Sequence, residues 1–444
     1  MLTSAELAHW WETLNDPELN SLLTRAVAQN YDLKIALANL QQARAVEQVF
    51  VGTELPALDF TGTAGGGSGT SVARGGLVSG PLEVASTTTG LKEVTQIFGV
   101  DTSFELDLFG NLRREQEAIN ADTVAAAELR NQVLVTLVAQ VTQAYVSVRT
   151  LQQRVLIAQQ TIDAQSQSAD VVRQRYQRGI TNELDVALAD RELQTTRAVL
   201  APLKAQLLSA KRQVALLLGE DPDTLVAELA DIHPLPLPPD EVDAGLPGDL
   251  LRRRPDVRQA EAQLVAANAR YGVAIANLYP RVFLTAGGGE EGQGLGRAPV
   301  RWRGVWSVAP AVSFPLLDFG QADATVQVRD QQTRAQLANF RKIIINAIDD
   351  VENSLTGYDA ERDRLASLDL GVRAAQRALD LANARYDRGI IDYLNVLDAE
   401  RQLYDLEDQY AVSDETAVSD FVTVCESLGG GWQGFAPPPP LRAP

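Results

Sequence analysis

Residues 175–193 and 385–403 are two versions of one segment, RYQRGITNELDVALADREL and RYDRGIIDYLNVLDAERQL, set 210 positions apart. The offset pairs Tyr176 with Tyr386, Gly179 with Gly389, Leu184 with Leu394 and Arg191 with Arg401. Each copy reads as a helix end, a Gly-Ile turn and a new helix start, the signature of a helical hairpin tip. Ser103-Phe104 and Phe109-Gly110 meet Ser313-Phe314 and Phe319-Gly320 at the same offset. A chain of 444 residues would ordinarily suggest two or three domains. The repeat predicts instead one body built twice, each unit being helix, strand hairpin, long helix, turn, helix.

Periodicity fills in the unit. Residues 19–49 carry Leu22, Leu23, Ala26, Leu33, Leu37 and Leu40 at three-and-four spacing and read as one helix, started by Asn15-Asp16-Pro17. From 111 to about 177 there is no proline, and Leu134, Val138, Val141, Tyr145 and Val148 keep a coiled-coil rhythm. At 1.5 Å per residue such a helix is roughly 100 Å long. Residues 321–388 repeat it with Leu337, Phe340, Ile344, Val351 and Tyr358. Returning helices are expected over 182–218 and 392–428, with a kink or break near Pro202.

Between the helices the texture changes. Phe98, Val100, Thr102, Phe104 and Leu106 alternate with Gly99, Asp101, Ser103 and Glu105, and Trp302, Trp306, Val308, Val312 and Phe314 share a parity against Arg303, Ser307 and Ser313. Alternation of this kind makes a strand with one apolar and one polar face. The glycine-rich runs 62–70 and 287–296 are expected to be loops, 219–248 an irregular connector, and 429–444 an extended, mobile tail. The expected divisions are 1–54 (N-terminal segment and first helix), 55–108 (first strand hairpin), 109–219 (first long helical hairpin), 220–279 (connector and helix), 280–316 (second strand hairpin), 317–428 (second long helical hairpin) and the tail, 429–444.

Composition argues by exclusion. Acidic residues outnumber basic ones 58 to 39, a net charge of −19, against a nucleic-acid partner, which needs a basic footprint. His9 and His233, the two histidines, have no spacing for a zinc site or a triad. The glycine clusters lack the Gly-Lys-Ser/Thr of a phosphate loop. No cofactor and no enzymatic chemistry are expected. Cys425, the single cysteine, reads as a small core residue. No run of 18 apolar residues supports a transmembrane helix, and the start MLTSAELAHWW lacks an export signal's basic and apolar regions.

Four strands that alternate between lipid-like and water-like surroundings cannot close a barrel in one chain, and open edges are prohibitive in a bilayer. If they enter a membrane, copies of the chain must complete the barrel, with Trp302 and Trp306 suited to an interfacial girdle. A soluble sandwich with surface tryptophans is the competing reading of the strands alone. Leu394, Asp398 and Arg401 are spaced i, i+4, i+7 on one helical stripe; by spacing alone a solvated face with a weak ion pair is the favoured reading.

The segments WETLNDPEL (11–19), FELDLFGNLR (104–113), LPGDLLRRRPDVRQA (246–260), NLYPRVFLTAG (277–287), SFPLLDFG (313–320) and the two tips, in this order, resemble the TolC-type outer-membrane efflux factors, in particular their NodT-like branch serving RND systems. The resemblance spans nearly the whole chain. It implies a mainly helical homotrimer in which long hairpins form an α-barrel tunnel and each protomer lends four strands to one β-barrel in outer-membrane lipid. It implies a passive, gated exit duct for drugs or other small molecules, with a periplasmic adaptor and an inner-membrane RND pump as partners. The gate would be built by Leu394 as plug and by Asp398 and Arg401 holding neighbouring hairpins. Tyr176 and Tyr386 are expected to pack or hydrogen-bond between hairpins near the tips, with Arg385 and Arg388 as partners, core packing being an equal account of both tyrosines; Gly179 and Gly389 are expected to be the turns, where a helix end calls for a left-handed residue, and the earlier tip would serve mainly for docking. Asp101 and Glu105 would line the pore and favour cations. Relatives of this branch are exported and lipidated on an N-terminal cysteine, whereas this chain starts at Met1 with neither signal nor cysteine; a truncated N-terminus is the expectation. The alternative from another class is a soluble or periplasmic helical-hairpin scaffold that binds partners without forming a channel.

Overall fold

A computed structural model describes residues 4–53, 55–68, 92–236, 238–239, 253–295 and 299–435. The chain divides into two compact units, one of residues 1–38, 128–258 and 342–439, the other of 39–127, 259–341 and 440–444.

The first unit opens with α1 (Ser4–Ala8), a 3-10 turn (Trp10–Leu14), α2 (Pro17–Gln29) and the start of α3 (Tyr31–Thr53). Asp16 starts α2: its carboxylate accepts the Glu18 and Leu19 N–H groups at 2.9 and 3.1 Å, with Pro17 in the first turn. The single helix expected over 19–49 is two. Asn30 separates them, because its Oδ1 accepts the Leu33 N–H at 2.9 Å and its Nδ2 donates to the Leu217 carbonyl at 2.8 Å. A side chain that caps one helix and ties it to another makes the break more favourable than continuation.

Two hairpins follow the repeat: α4 (Asn111–Gln177) with α5 (Glu183–Leu218), and α8 (Gln321–Asp387) with α9 (Tyr393–Ser427). Both long helices have 67 residues and contribute to each unit. α5 continues through Pro202; of the kink or break expected there, the break is absent. Pro202 and Ala198, whose carbonyl loses its helical donor, are both exposed, so water can take over that bond. Among the described residues the connector holds one short helix, α6 (Thr224–Glu228), anchored by the buried Leu225; residues 237 and 240–252 lie outside those described.

The first unit's core joins Trp10, Leu19 and Leu22 to Leu134, Val138, Tyr145 and Val148 of α4, Val214 and Leu218 of α5, Tyr358 of α8, and Phe421 and Cys425 of α9. Trp10 meets Phe421 edge-on at 6.0 Å. The start of the expected tail belongs to this core. Trp432 donates its indole N–H to the Arg253 carbonyl at 3.1 Å, and Phe435 stacks on Trp11 at 5.2 Å. An aromatic run with a facing aromatic pair buries apolar surface that outweighs its glycine content. Residues 436–444 lie outside those described.

The second unit carries one antiparallel sheet in the order β1 (Ala57–Ser68), β2 (Lys92–Leu106), β3 (Arg281–Leu295), β4 (Arg301–Ser313). The described parts of both glycine runs, 62–68 and 287–295, are strand rather than loop; 69–70 and 296 lie outside the described residues. A Cβ on Gly289 would stand 2.2 Å from the Phe98 carbonyl oxygen, so only glycine admits that strand approach. A Cβ on Gly62 would come within 3.2 Å of the Phe98 ring, and one on Gly292 within 3.1 Å of the Trp302 ring. Here glycine supplies flat seats for neighbouring aromatics, a device that composition alone does not separate from a flexible turn. Helix α7 (Pro255–Ala276) is joined to α4 in this unit by an Arg270–Asp122 ion pair, and Tyr279 stacks on Phe109 at 4.9 Å.

Candidate functional site

Two regions carry the chemistry: the helical tips in the first unit and the sheet in the second. At each tip the helix ends in a left-handed glycine, Gly179 and Gly389 both at φ 72°. Ile180 N–H reaches the Arg175 carbonyl at 2.9 Å and Gly179 N–H the Tyr176 carbonyl at 2.8 Å; Ile390 and Gly389 make the same bonds to Arg385 and Tyr386 at 3.0 and 2.9 Å. This is the paired closure of a Schellman motif. Asn182 then starts α5 by accepting the Asp185 N–H at 2.9 Å, and Asp392 precedes α9.

Beneath the turns, Ala169 and Val172 of α4, Ala189 of α5, Tyr386 of α8 and Tyr393 and Leu397 of α9 form a small core. The two repeat tyrosines are not equivalent: Tyr386 is buried, whereas Tyr176 is 44% exposed. Tyr386 packs on Tyr393 at 5.5 Å, and the guanidinium lying over its ring, at 4.5 Å, is that of Arg175. Arg385 and Arg388 are exposed. Tyr393 shares a hydrogen bond with Ser168 of α4 at 3.2 Å.

Of the stripe residues, Leu394 and Asp398 face solvent, Leu394 at 60% exposure. Arg401 reaches from α9 to α5 and pairs with Glu192 of the same chain. This pair ties the two hairpins of one protomer to each other, and the hydrogen bond that Arg401 donates to Glu192 holds the Arg401 pKa above its usual value. Glu400 points into the packed side of α9, where burial, with Glu192 nearby adding to it, pushes its carboxyl up to about 7 against an opposing hydrogen bond from Ser168.

The apolar face of the sheet is exposed. Phe60, Val100, Gly288 and Trp306 lie in one cross-strand row and Leu58, Thr102, Ala286 and Val308 in the next. Trp306 is 81% exposed, and Trp302, 47% exposed, stacks on Phe98 at 5.9 Å. The alternate face carries Asp59, Asp101, Gly287 and Ser307 in one row. Asp101 accepts the Thr61 hydroxyl at 3.2 Å. Glu105 is paired with Arg281, Nε to Oε1 at 3.0 Å, so its charge is compensated, whereas Asp101 shares its row with Asp59.

Sequence reasoning did not single out Glu192, Arg175, Tyr393 or Glu400. Glu192 and Arg175 adjoin repeat residues, but only the fold brings them against α9 and Tyr386. Tyr393 stands opposite Glu183 in the repeat, a difference between copies that marks the tip where the aromatic pair forms.

Residues 22–220 and 246–430 match the family model described as outer membrane efflux protein. The chain is 30% identical over 98% of its length to the toluene efflux pump outer membrane protein TtgF of Pseudomonas putida, covering 88% of it. It is 28% identical over 96% of its length to the cation efflux system protein CusC of Escherichia coli, covering 89%. Among solved structures, the outer-membrane channel OprN superposes with a TM-score of 0.84 at 32% identity, over 96% of this chain and 93% of that one.

Proposed function

This chain belongs to the outer membrane efflux protein family, and we propose that it is the outer-membrane channel of a tripartite efflux pump, a passive exit duct made by three copies. The observation that carries the reading is the sheet. Its four strands present an outward row of bare aromatics and leave β1 and β4 as open edges. Such a sheet is stable in hydrocarbon only when other copies close it. The two long hairpins supply walls for a tunnel, and their tips supply surfaces for an adaptor that links the duct to an RND pump. Nothing in this arrangement calls for chemistry on the cargo, which is the small molecule or ion that the pump delivers.

The periplasmic gate in this reading is the ring of Leu394, Asp398 and Arg401 brought together by threefold assembly. The solvent-facing positions of Leu394 and Asp398 support it, as does the incomplete stripe of the earlier tip, where Leu188 stands opposite Asp398. Arg401 then has two tasks, the pair to Glu192 within a protomer and a contact across to its neighbour.

The test is made on purified protein. Recovery from outer membranes as a heat-dissociable trimer, with low single-channel conductance in planar bilayers that rises at least severalfold in the Asp398→Ala, Arg401→Ala double variant, is the expected result. A detergent-independent monomer in the soluble fraction would sink the channel reading in favour of a helical scaffold. A trimer whose conductance ignores the double variant would sink the gate alone.

A further inference from the structure

The repeat carries two offsets. α4 and α8 start 210 positions apart, at Asn111 and Gln321, whereas α3 and α7 start at Tyr31 and Pro255 and β1 and β3 at Ala57 and Arg281, both 224 apart. At the second offset Asp32, Ala36, Leu40 and Pro56 meet the identical Asp256, Ala260, Leu264 and Pro280. Each unit therefore has an entry, α3 with β1 or α7 with β3, and an exit, β2 with α4 or β4 with α8. Inside the chain the first exit docks on the second entry: β2 pairs with β3, and Asp122 of α4 with Arg270 of α7. The second exit has no such entry beside it, because β1 stands at the opposite edge of the sheet, three strand spacings or about 14 Å away.

The side chains of the unused exit and entry match. The stacked Phe109 and Tyr279 correspond to Phe319 and Leu55, and both of these are bare, at 92% and 63% exposure. Phe319 is also held at φ 52°, an angle Phe109 does not share and one that strains a bulky residue. Arg114 lies against Gly272, where a Cβ would come within 3.1 Å of its Cγ. The corresponding pair is Ala324 and Gln48, so the long side chain and the small one change sides. Asp122 and Arg270 correspond to Gln332 and Val46, and both charges are gone together. All four of these residues are exposed. Paired exchange of this kind preserves a contact, whereas a change of size on one side alone leaves a void or a clash.

We infer that Phe319 of one copy seats on Leu55 of the next, and that β4 pairs antiparallel with β1 of the next copy in one register, Phe314 opposite Phe60 and Ser313 opposite Thr61. The register is transposed from Phe104 opposite Leu284 and Ser103 opposite Thr285 within the chain. The inference rests on the three-copy duct and names how its copies join. Unlike edges meet head to tail, β4 to β1 rather than either edge to itself, and a contact of that kind can close into a ring.

Disulfide trapping in outer membranes tests the register. Directly opposed strand residues have Cα atoms about 4.5–5.5 Å apart, within reach of a disulfide, and diagonal neighbours about 7–8 Å, beyond it. On oxidation the Ser313→Cys, Thr61→Cys double variant should give covalent dimers and trimers, about tenfold or more above the Ser313→Cys, Thr63→Cys control displaced by one diagonal step. Separately, Phe319→Ala should lower the temperature at which the trimer dissociates by about 5 °C or more; an unchanged temperature removes the Phe319 seat. Solid-state NMR of unaltered trimers, reassembled from nitrogen-labelled and carbon-labelled copies, reads the same strand contact between Ser313 and Thr61 and keeps the test decisive if a cysteine variant does not assemble. Trimers in which the displaced pair links and the in-register pair does not, or which lack the Ser313–Thr61 contact, overturn the register and leave the duct standing. An unaltered protein that forms no trimer removes the duct and this inference together.

Discussion

At the scale of single residues, environment separates side chains that the repeat makes look alike. Tyr176 and Tyr386 occupy one position in two copies, yet only Tyr386 has Tyr393 and Arg175 to pack on. The repeat marked both; which one is buried depends on partners from two other helices. Glu400 offers a measurable case. Its carboxyl is raised from 4.5 to about 7, first by burial, with Glu192 adding to it and Ser168 opposing. The folded protein thus holds this proton more tightly than the unfolded chain does. Its contribution is most favourable below pH 4.5, declines as pH rises from about 4.5 to 7, and stays at its lowest above that. Glu400→Gln should therefore raise the thermal midpoint at pH 8 while leaving it nearly unchanged at pH 4, the gain being of order 1–3 kcal/mol. An equal shift at both pH values would contradict the assignment. Gly179 and Gly389 are simpler: a Cβ at either meets nothing within 4 Å, so Gly→Ala there should cost only the left-handed strain of roughly 1–2 kcal/mol, seen as a modest fall in melting temperature with trimer assembly intact.

At the scale of elements, the helices were legible because caps and periodicity act locally. The turn glycines and Asn182 do their work within a few residues of chain, so the helix limits expected at 111–177, 182–218, 321–388 and 392–428 fall within a residue of α4, α5, α8 and α9. What escaped depends on partners distant in sequence. Asn30 divides α2 from α3 by bonding to Leu217, and the glycine runs are strand because rings and carbonyls from β2 and β4 press on them. Gly289 is the sharpest instance. Its missing side chain is required by the neighbouring strand rather than by its own dihedral angles, so Gly289→Val should abolish insertion of the sheet while the helical content measured by circular dichroism persists. Efficient outer-membrane assembly of Gly289→Val would show that β2 and β3 can separate at low cost. The contrast with Gly389→Ala, tolerated by the same argument in reverse, makes the pair informative.

At the scale of the whole molecule, the repeat, the sheet edges and the exposed aromatics could be read together before any coordinates, since each restates one constraint: a doubled unit with too few strands to close alone. The site was less legible, because Arg401 meets Glu192, and Glu400 meets Ser168, only once both hairpins are docked. One feature of the first unit bears on how such a molecule is made. The stacking of Trp11 on Phe435 joins segments 424 positions apart, and the bond from Trp432 to Arg253 joins segments 179 apart. Phe435 follows Trp11 by 424 positions, so this core cannot seal until the residues between them have been made, and long-range closure of this kind is slow. Removing residues 430–444 should leave the Trp10-Trp11 pocket open and lower the melting temperature by several degrees; an unchanged melt would mean the closure is ornamental. Until Phe435 has reached Trp11 the aromatic core of the first unit stays open, so any step that needs the chain unfolded has its window before that contact forms.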